Sequence, residues 1–329
     1  CQSCFRCVQE CTKGIFSRVI NPEYRTLGDD YFKPGIIHST WYQAHTGKIP
    51  VSGAGYRGPF VGKGFDSMWT DMSEIVRPTC DGIHGREYIN TCIELSRRVS
   101  RLRFKDDMSL DMELPPILEI PLPLMFQRPS FGVLGDIVLV AAAMAAHELE
   151  TMIFIKPEDY IQALTPYTEN LVPCITAGTI TEHTELIKKS RMVELSYEPG
   201  IENEFDRVRE MKPDVIISVG MPLNSQAAGR AVTLTLADVD TLHFYADDHG
   251  NERDADYPRF LKEMIWEIHL KLVEKCIRKQ VKLVFSGGIA MAEHMAKAII
   301  CGADGITVDI PLLIALECRV CYQCVKGLP

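Results

Sequence analysis

From residue 117 onward, short β-branched runs alternate with longer stretches whose apolar residues recur every three to four positions. The runs cover 117–126, 151–155, 171–176, 192–197, 214–219, 241–245, 281–286 and 305–309. Helical periodicity fills 135–149, 181–190, 202–210, 227–236, 257–277 and 290–301 between them. Eight such runs separated by helices predict a (β/α)8 TIM barrel, with a doubly wound open sheet as the structural alternative. The preceding chain is irregular: glycines crowd 53–64 and prolines recur at 22, 34, 50, 59 and 78. One stretch there, 85–102, places Tyr88, Ile89, Cys92, Leu95 and Val99 near a helical period and predicts a helix. Prolines 115, 116, 121 and 123 mark the entry to the barrel. The predicted organisation is an N-terminal iron–sulfur segment (1–34), a Gly/Pro-rich extension (35–115), the barrel (116–312) and a C-terminal cysteine segment (313–329).

Composition narrows the class. With 329 residues, 46% hydrophobic and 24% charged, the chain can bury a large core, which excludes disordered and fibrous proteins. A net charge of −9 argues against a surface that tracks nucleic-acid phosphates. The longest apolar run, 137–146, falls well short of the roughly 20 residues of a membrane span.

Of the 12 cysteines, seven crowd the two ends. Cys1, Cys4, Cys7 and Cys11 read C-x2-C-x2-C-x3-C, the bacterial ferredoxin spacing; Cys318, Cys321 and Cys324 read C-x2-C-x2-C. Zinc sites favour separated C-x2-C pairs or mixtures with histidine, and disulfide frameworks belong to small secreted domains. The expectation is therefore one or two iron–sulfur clusters. In two-cluster ferredoxins the fourth cysteine of each run serves the other cluster. Either Cys11 or a ligand beyond Pro329 would then complete the C-terminal set. The remaining cysteines read as buried thiols. Because the chain opens on a cysteine, both ends are expected to be trimmed from a longer polypeptide. Cluster-type cysteines without a signal peptide point to a reducing cytoplasm.

Barrel enzymes work on the loops after their strands and hold phosphate after strands seven and eight. The seventh run ends in Ser286-Gly287-Gly288-Ile289, and Gly302-Ala303-Asp304-Gly305 leads into the eighth. Glycines allow close backbone approach to a phosphate. After the sixth run, Asp247, Asp248 and His249 stand where barrel catalysts stand. A histidine oriented by a carboxylate could relay protons there, against the plain reading of a surface turn. Asn224, after the fifth run, could bond a cofactor ring or cap a helix.

The stretch 281–324, VKLVFSGGIAMAEHMAKAIICGADGITVDIPLLIALECRVCYQC, resembles the FMN-binding domain of the glutamate synthases. In that family a Gly-Gly-Ile turn and a Gly-Ala-Asp turn hold the flavin phosphate, and a Leu-Ile-Ala-Leu-Gly-Cys run leads into cluster cysteines. The segment 59–91 is similar to the archaeal-type and stand-alone members, which also carry an N-terminal ferredoxin-like run. The resemblance implies FMN phosphate contacts at Gly287, Gly288, Gly302 and Ala303, with Ser286 in the same turn. It puts Ser130 and Gly132 close to the flavin and makes Cys318 and Cys324 cluster ligands. Cys321 is extra to the family's three-iron spacing, so the second cluster is 4Fe-4S or 3Fe-4S. Arg77, His84, Arg86 and Glu87 fall in the similar upstream segment, where arginine could grip a carboxylate.

This sequence also departs from the family. Ser196 stands where the fourth strand's lysine is expected, and Ala246-Asp247-Asp248-His249-Gly250 replaces Asp-Gly-Gly-Thr-Gly-Ala-Ser. The glutaminase domain is missing, and Cys1 belongs to the cluster run rather than acting as a nucleophile. The resemblance implies an oxidoreductase that passes electrons between clusters and FMN to reduce a small imine or carbonyl. Ferredoxin or other redox subunits are the implied partners, in a homo- or hetero-oligomer. The alternative is an electron-transfer flavin subunit of a larger complex.

Overall fold

A computed structural model describes residues 4–49, 64–68, 91–129, 131 and 135–326. The chain forms two compact units. One joins Cys1–Val61 to Ile314–Pro329, and the other is Gly62–Leu313.

The first unit contains α1 (Arg6–Gln9), α2 (Pro22–Arg25) and α3 (Pro34–Thr46). Asn21 starts α2 by accepting the Glu23 N–H at 3.0 Å, with Pro22 at the first helical position. Gly47, at φ 67°, ends α3. Two contacts tie the distant ends of the sequence together. The Gly28 N–H donates to the Arg319 carbonyl at 2.9 Å. Asp29 accepts the N–H groups of Tyr31 and Phe32 through one oxygen, at 2.7 Å each, and the Tyr322 hydroxyl through the other, at 3.1 Å. Both terminal cysteine runs consequently lie in one compact unit.

The described part of the second unit opens with a 3-10 turn, Gly64–Ser67, followed by a short antiparallel pair, β1 (Ile93–Glu94) and β2 (Glu119–Ile120). The helix expected over 85–102 is not found over 91–102, and 85–90 lie outside the described residues. The apolar spacing there serves a different purpose. Leu95, Leu118 and Ile120 are buried against Met125, Val172, Met192, Ile216 and Val284, stoppering one end of the barrel. The Thr241 hydroxyl donates to the Leu95 carbonyl at 2.6 Å and fixes the plug.

The barrel has eight parallel strands, closed in the order β10-β3-β4-β5-β6-β7-β8-β9. They are β3 (Leu124–Gln127), β4 (Ile153–Ile155), β5 (Leu171–Ile175), β6 (Met192–Ser196), β7 (Ile216–Pro222), β8 (Thr241–Tyr245), β9 (Lys282–Ser286) and β10 (Gly305–Val308). Each falls within or beside its expected run, and closure through β10 and β3 removes the open-sheet alternative. Flanking helices are α4 (Asp136–Glu148), α5 (Thr184–Lys189), α6 (Phe205–Met211), α7 (Ala227–Leu236), α8 (Leu261–Glu274), α9 (Ala292–Cys301) and α10 (Ile310–Ala315). Between β4 and β5 the chain makes 3-10 turns, and Pro166, which has no N–H to donate, sits inside the longer one. Outward strand residues such as Leu242 and Phe244 pack on the helices. Among the described residues no helix is long and apolar enough to cross a membrane.

Candidate active site at the barrel mouth

Opposite the plug, the strand ends open onto a cavity of about 330 Å³. It lies within the usual range for small-molecule pockets. Gln127 and Arg128 come from the end of β3, Pro222 from β7, Tyr245 and Ala246 from β8, Ser286 and Gly287 from β9, and Asp309 from β10. Asp248 and Arg253 reach in from the loop after β8.

Beneath Tyr245 the barrel interior turns polar. Glu194 of β6 is 1% exposed and accepts hydrogen bonds from Ser218 at 3.2 Å, from the Cys174 thiol at 3.4 Å and from the Tyr245 hydroxyl. His243 Nδ1 lies 2.8 Å from the same carboxylate, while its Nε2 is buried with no hydrogen-bond partner. Gly220 makes the arrangement possible, because a Cβ there would come within 2.7 Å of the Glu194 carboxyl carbon and closer still to Tyr245. Burial, then the adjacent Glu194 charge, pushes the Tyr245 hydroxyl and the Cys174 thiol well above their ordinary pKa values, so both keep their protons. Ser196, expected in the lysine's place, is exposed at the end of β6. The polar group that β6 sends into the barrel is Glu194.

The expected catalytic trio separates. Asp247 is spent on its own turn, accepting the N–H groups of His249 (2.9 Å) and Asn251 (2.7 Å) and the Asn251 amide (3.0 Å). Asp248 lines the cavity and His249 does not. Asn224 accepts the Gln226 N–H at 3.1 Å beside the start of α7, a capping contact, and does not line the cavity.

Gly287 lines the mouth at φ 92°, and its missing Cβ leaves room for the Asp247 carbonyl. Gly288 is packed on Gly250, and its N–H donates to the Asp248 carbonyl at 3.3 Å. Gly302 and Ala303 do not join them. They precede β10 and so lie at the plugged end, with Gly302 against the His269 ring and its carbonyl accepting from Arg278 at 2.7 Å. In a parallel barrel, loops before and after a strand lie at opposite ends, which corrects the expectation of a shared phosphate site. Ser130, Gly132, Arg77, His84, Arg86, Glu87 and nearly all of the 53–64 loop lie outside the described residues.

Sequence reasoning missed Tyr245, Glu194, His243, Arg253 and Asp309. Asp309 had a signal: it is the last residue of the eighth strand run. Burial pushes its carboxyl up to about 6, with Asp248 adding to the shift and the Ile310 N–H and Arg253 opposing it.

In the other unit, Cys4, Cys7, Cys11, Cys318, Cys321 and Cys324 are all free thiols, and Cys1 lies outside the described residues. Backbone N–H groups, Ile15 foremost, hold the Cys11 thiol below its ordinary pKa. Burial raises Cys318, the Val320 N–H at 3.4 Å from its sulfur opposes this, and the charges of Cys321 and Cys324 raise it further. The three C-terminal thiols thus stand within electrostatic reach of one another. Glu317, Val320 and Tyr322 all adopt positive φ (69°, 51° and 53°), costly conformations for such side chains and most of all for β-branched valine.

Comparison with known proteins bears on both units. Residues 258–328 match the conserved region in glutamate synthase. Over 99% of its length the chain is 23% identical to the archaeal-type glutamate synthase [NADPH] of Dehalococcoides mccartyi, covering 75% of that protein. It is 22% identical to the archaeal glutamate synthase [NADPH] of Methanocaldococcus jannaschii, with 87% of this chain and 68% of that one aligned. The Archaeoglobus fulgidus enzyme of the same name is 21% identical across the whole chain and 74% of its own length. The chain is related to the glutamate synthases. A solved structure, QR15, an aldolase, is similar at a TM-score of 0.43 and 14% identity over 59% of this chain and 91% of its own.

Two cofactors follow from glutamate synthase relatedness, and they fare differently. Among the described residues no three ligand-type side chains already stand as a metal site. The donor chemistry nonetheless suits iron–sulfur clusters: free thiols only, with Cys11 favoured as thiolate and left-handed residues between the C-terminal three. Cys1, Cys4, Cys7 and Cys11 would hold one cluster, and Cys318, Cys321 and Cys324 would supply three ligands of another. Such clusters carry single electrons. FMN held by its phosphate does not fit the mouth as described. Only Gly287 of the four expected contacts faces the cavity, and the carboxylates of Asp248 and Asp309 face it too.

Proposed function

We propose that this chain is a glutamate synthase-like oxidoreductase in which cysteine-bound clusters deliver electrons to a small imine or carbonyl substrate at the barrel mouth. One observation carries the reading. Two cysteine runs more than 300 residues apart fold into one compact unit, and the C-terminal run carries two left-handed residues, Val320 and Tyr322, between its cysteines. At the mouth, Arg253 and Arg128 suit a substrate carboxylate. The floor beneath them is held by the protonated Tyr245 hydroxyl, bonded to Glu194. Ferredoxin or a redox subunit would supply electrons in a reducing cytoplasm.

A second reading, an electron-transfer flavin subunit of a larger complex, is favoured by the polar groups β6 presents, Glu194 and Ser196 in place of a lysine. One experiment separates the two. Anaerobically purified protein is reduced with dithionite and offered 2-oxoglutarate with ammonia. Reoxidation with formation of glutamate supports the enzyme. Stable reduction in their presence supports the electron-transfer subunit.

A further inference from the structure

Phosphate in a (β/α)8 barrel is taken by the loops after strands seven and eight and by the N-terminus of the short helix that follows. The donors are backbone N–H groups that lack intrahelical partners. In this chain several of those donors are already used. After β9, the Gly288 N–H goes to the Asp248 carbonyl at 3.3 Å and the Ala290 N–H to His294 Nδ1 at 3.2 Å. After β10, the Ile310 N–H goes to the Asp309 carboxylate at 2.6 Å, Pro311 has none, and the Leu312 N–H goes to the Asp309 carbonyl at 3.0 Å. One carboxylate thus fills the seat, and Asp248 lines the same cavity.

We infer that Asp309 closes the phosphate seat of this barrel, so that a ligand entering the mouth gains no grip there through a phosphate dianion. Asp309 is in this sense a specificity-determining residue: it supplies the anionic oxygen that the start of α10 would otherwise take from a ligand. A dianion placed beside it would meet two carboxylates, and the Ile310 N–H at the start of α10 is already taken. The charged groups facing Asp309 are Asp248 from the loop after β8, which repels, and Arg253 from the same loop, which attracts. Arg128, at the end of β3, lies on the cavity wall with Asp159 Oδ2 3.0 Å from its Nε, though not aligned for a hydrogen bond. The positive charge at the mouth therefore comes from the loops after β3 and β8, with Arg253 acting on Asp309 itself.

The inference borrows the flavin of the glutamate synthase-like reading only as a probe. FMN and riboflavin differ by the phosphate alone, so the full chain is titrated with each at pH 8, as wild type and as Asp309→Asn. Asparagine keeps the acceptor for the Ile310 N–H and removes the charge. The expected result is wild-type dissociation constants within about threefold of each other, and a preference for FMN of about tenfold or more in the variant. Wild-type preference for FMN of that size, or a variant with no preference, overturns the inference. If neither flavin binds either protein, the flavin reading fails on its own, and inorganic phosphate reads the seat through the thermal midpoint. A rise in the variant but not in wild type upholds the closure; no rise in either, or an equal rise in both, overturns it.

Discussion

Asp240 sits just before β8 at the plugged end of the barrel and Asp309 just after β10 at the open mouth, and their surroundings differ sharply. Asp240 is 1% exposed, yet its oxygens accept the N–H groups of Ile217 (3.0 Å) and Arg97 (3.3 Å). The guanidinium groups of Arg97 (3.7 Å) and Arg209 (3.9 Å) stand beside them. Asp304, at the same end, accepts from Leu283 and Arg278 at 2.7 and 2.9 Å. Asp309 accepts the Ile310 N–H at 2.6 Å and faces both the Asp248 carboxylate and the Arg253 guanidinium. The lesson concerns what a buried charge is for. Where donors and cations converge, it holds strands together. Burial raises the carboxyl pKa of both residues, but at Asp309 a second carboxylate adds to the shift, whereas at Asp240 the N–H groups and guanidinium groups around it all oppose it.

The sharpest way to break this comparison is Asp240→Ala. It orphans two N–H groups and leaves Arg97 and Arg209 without their buried partner, at a cost on the order of 3–5 kcal/mol. Urea unfolding measures it, and a change below about 1 kcal/mol would remove the structural reading of the plugged end.

Gly302→Ala comes next. The residue is at φ 121°, and a Cβ would approach the His269 ring to 2.6 Å, so a loss of roughly 1–3 kcal/mol is expected. Ligand binding at the mouth should not change. Weakened flavin or phosphate binding in a folded Gly302→Ala protein would show that Gly302 serves the mouth after all.

Asp309→Asn has the smallest effect and the opposite sign. The native carboxyl titrates at about 6 against 3.8 for its ordinary value, so the folded chain binds more protons than the unfolded chain between those limits. Wild-type stability therefore rises as pH falls from 6 towards 4. Above 6, the ionised carboxylate costs on the order of 1–2 kcal/mol, allowing for water in the cavity. The variant should be more stable than wild type by that amount at pH 8, with the gap closing near pH 4. An equal gap at both pH values would contradict the assignment.

Much of the fold was legible because a parallel barrel writes itself as repeated apolar runs, and all eight runs became strands. The helix expected over 85–102 failed where it can be seen because period alone cannot distinguish a helix face from a plug whose residues are buried by tertiary packing. At the site, Ser286, Gly287 and Asp248, chosen for their place at or after a strand end, line the cavity. Position misled at Gly302 and Ala303, which precede their strand. Glu194 was hidden inside an apolar run, since the sequence does not reveal that Gly220, Ser218 and His243 on neighbouring strands leave space and donors for a carboxylate. Asp309 could have been found by asking which residue ends the eighth strand.

The central claim, that the terminal cysteines make this a cluster-bearing redox protein, is tested most directly by iron and acid-labile sulfide analysis with electron paramagnetic resonance after anaerobic reconstitution. Expected are iron and acid-labile sulfide at roughly four to eight of each per chain, and a cluster signal that changes in Cys11→Ser and Cys321→Ser. Protein that stays free of iron and sulfide, with all its thiols open to titration, would contradict it.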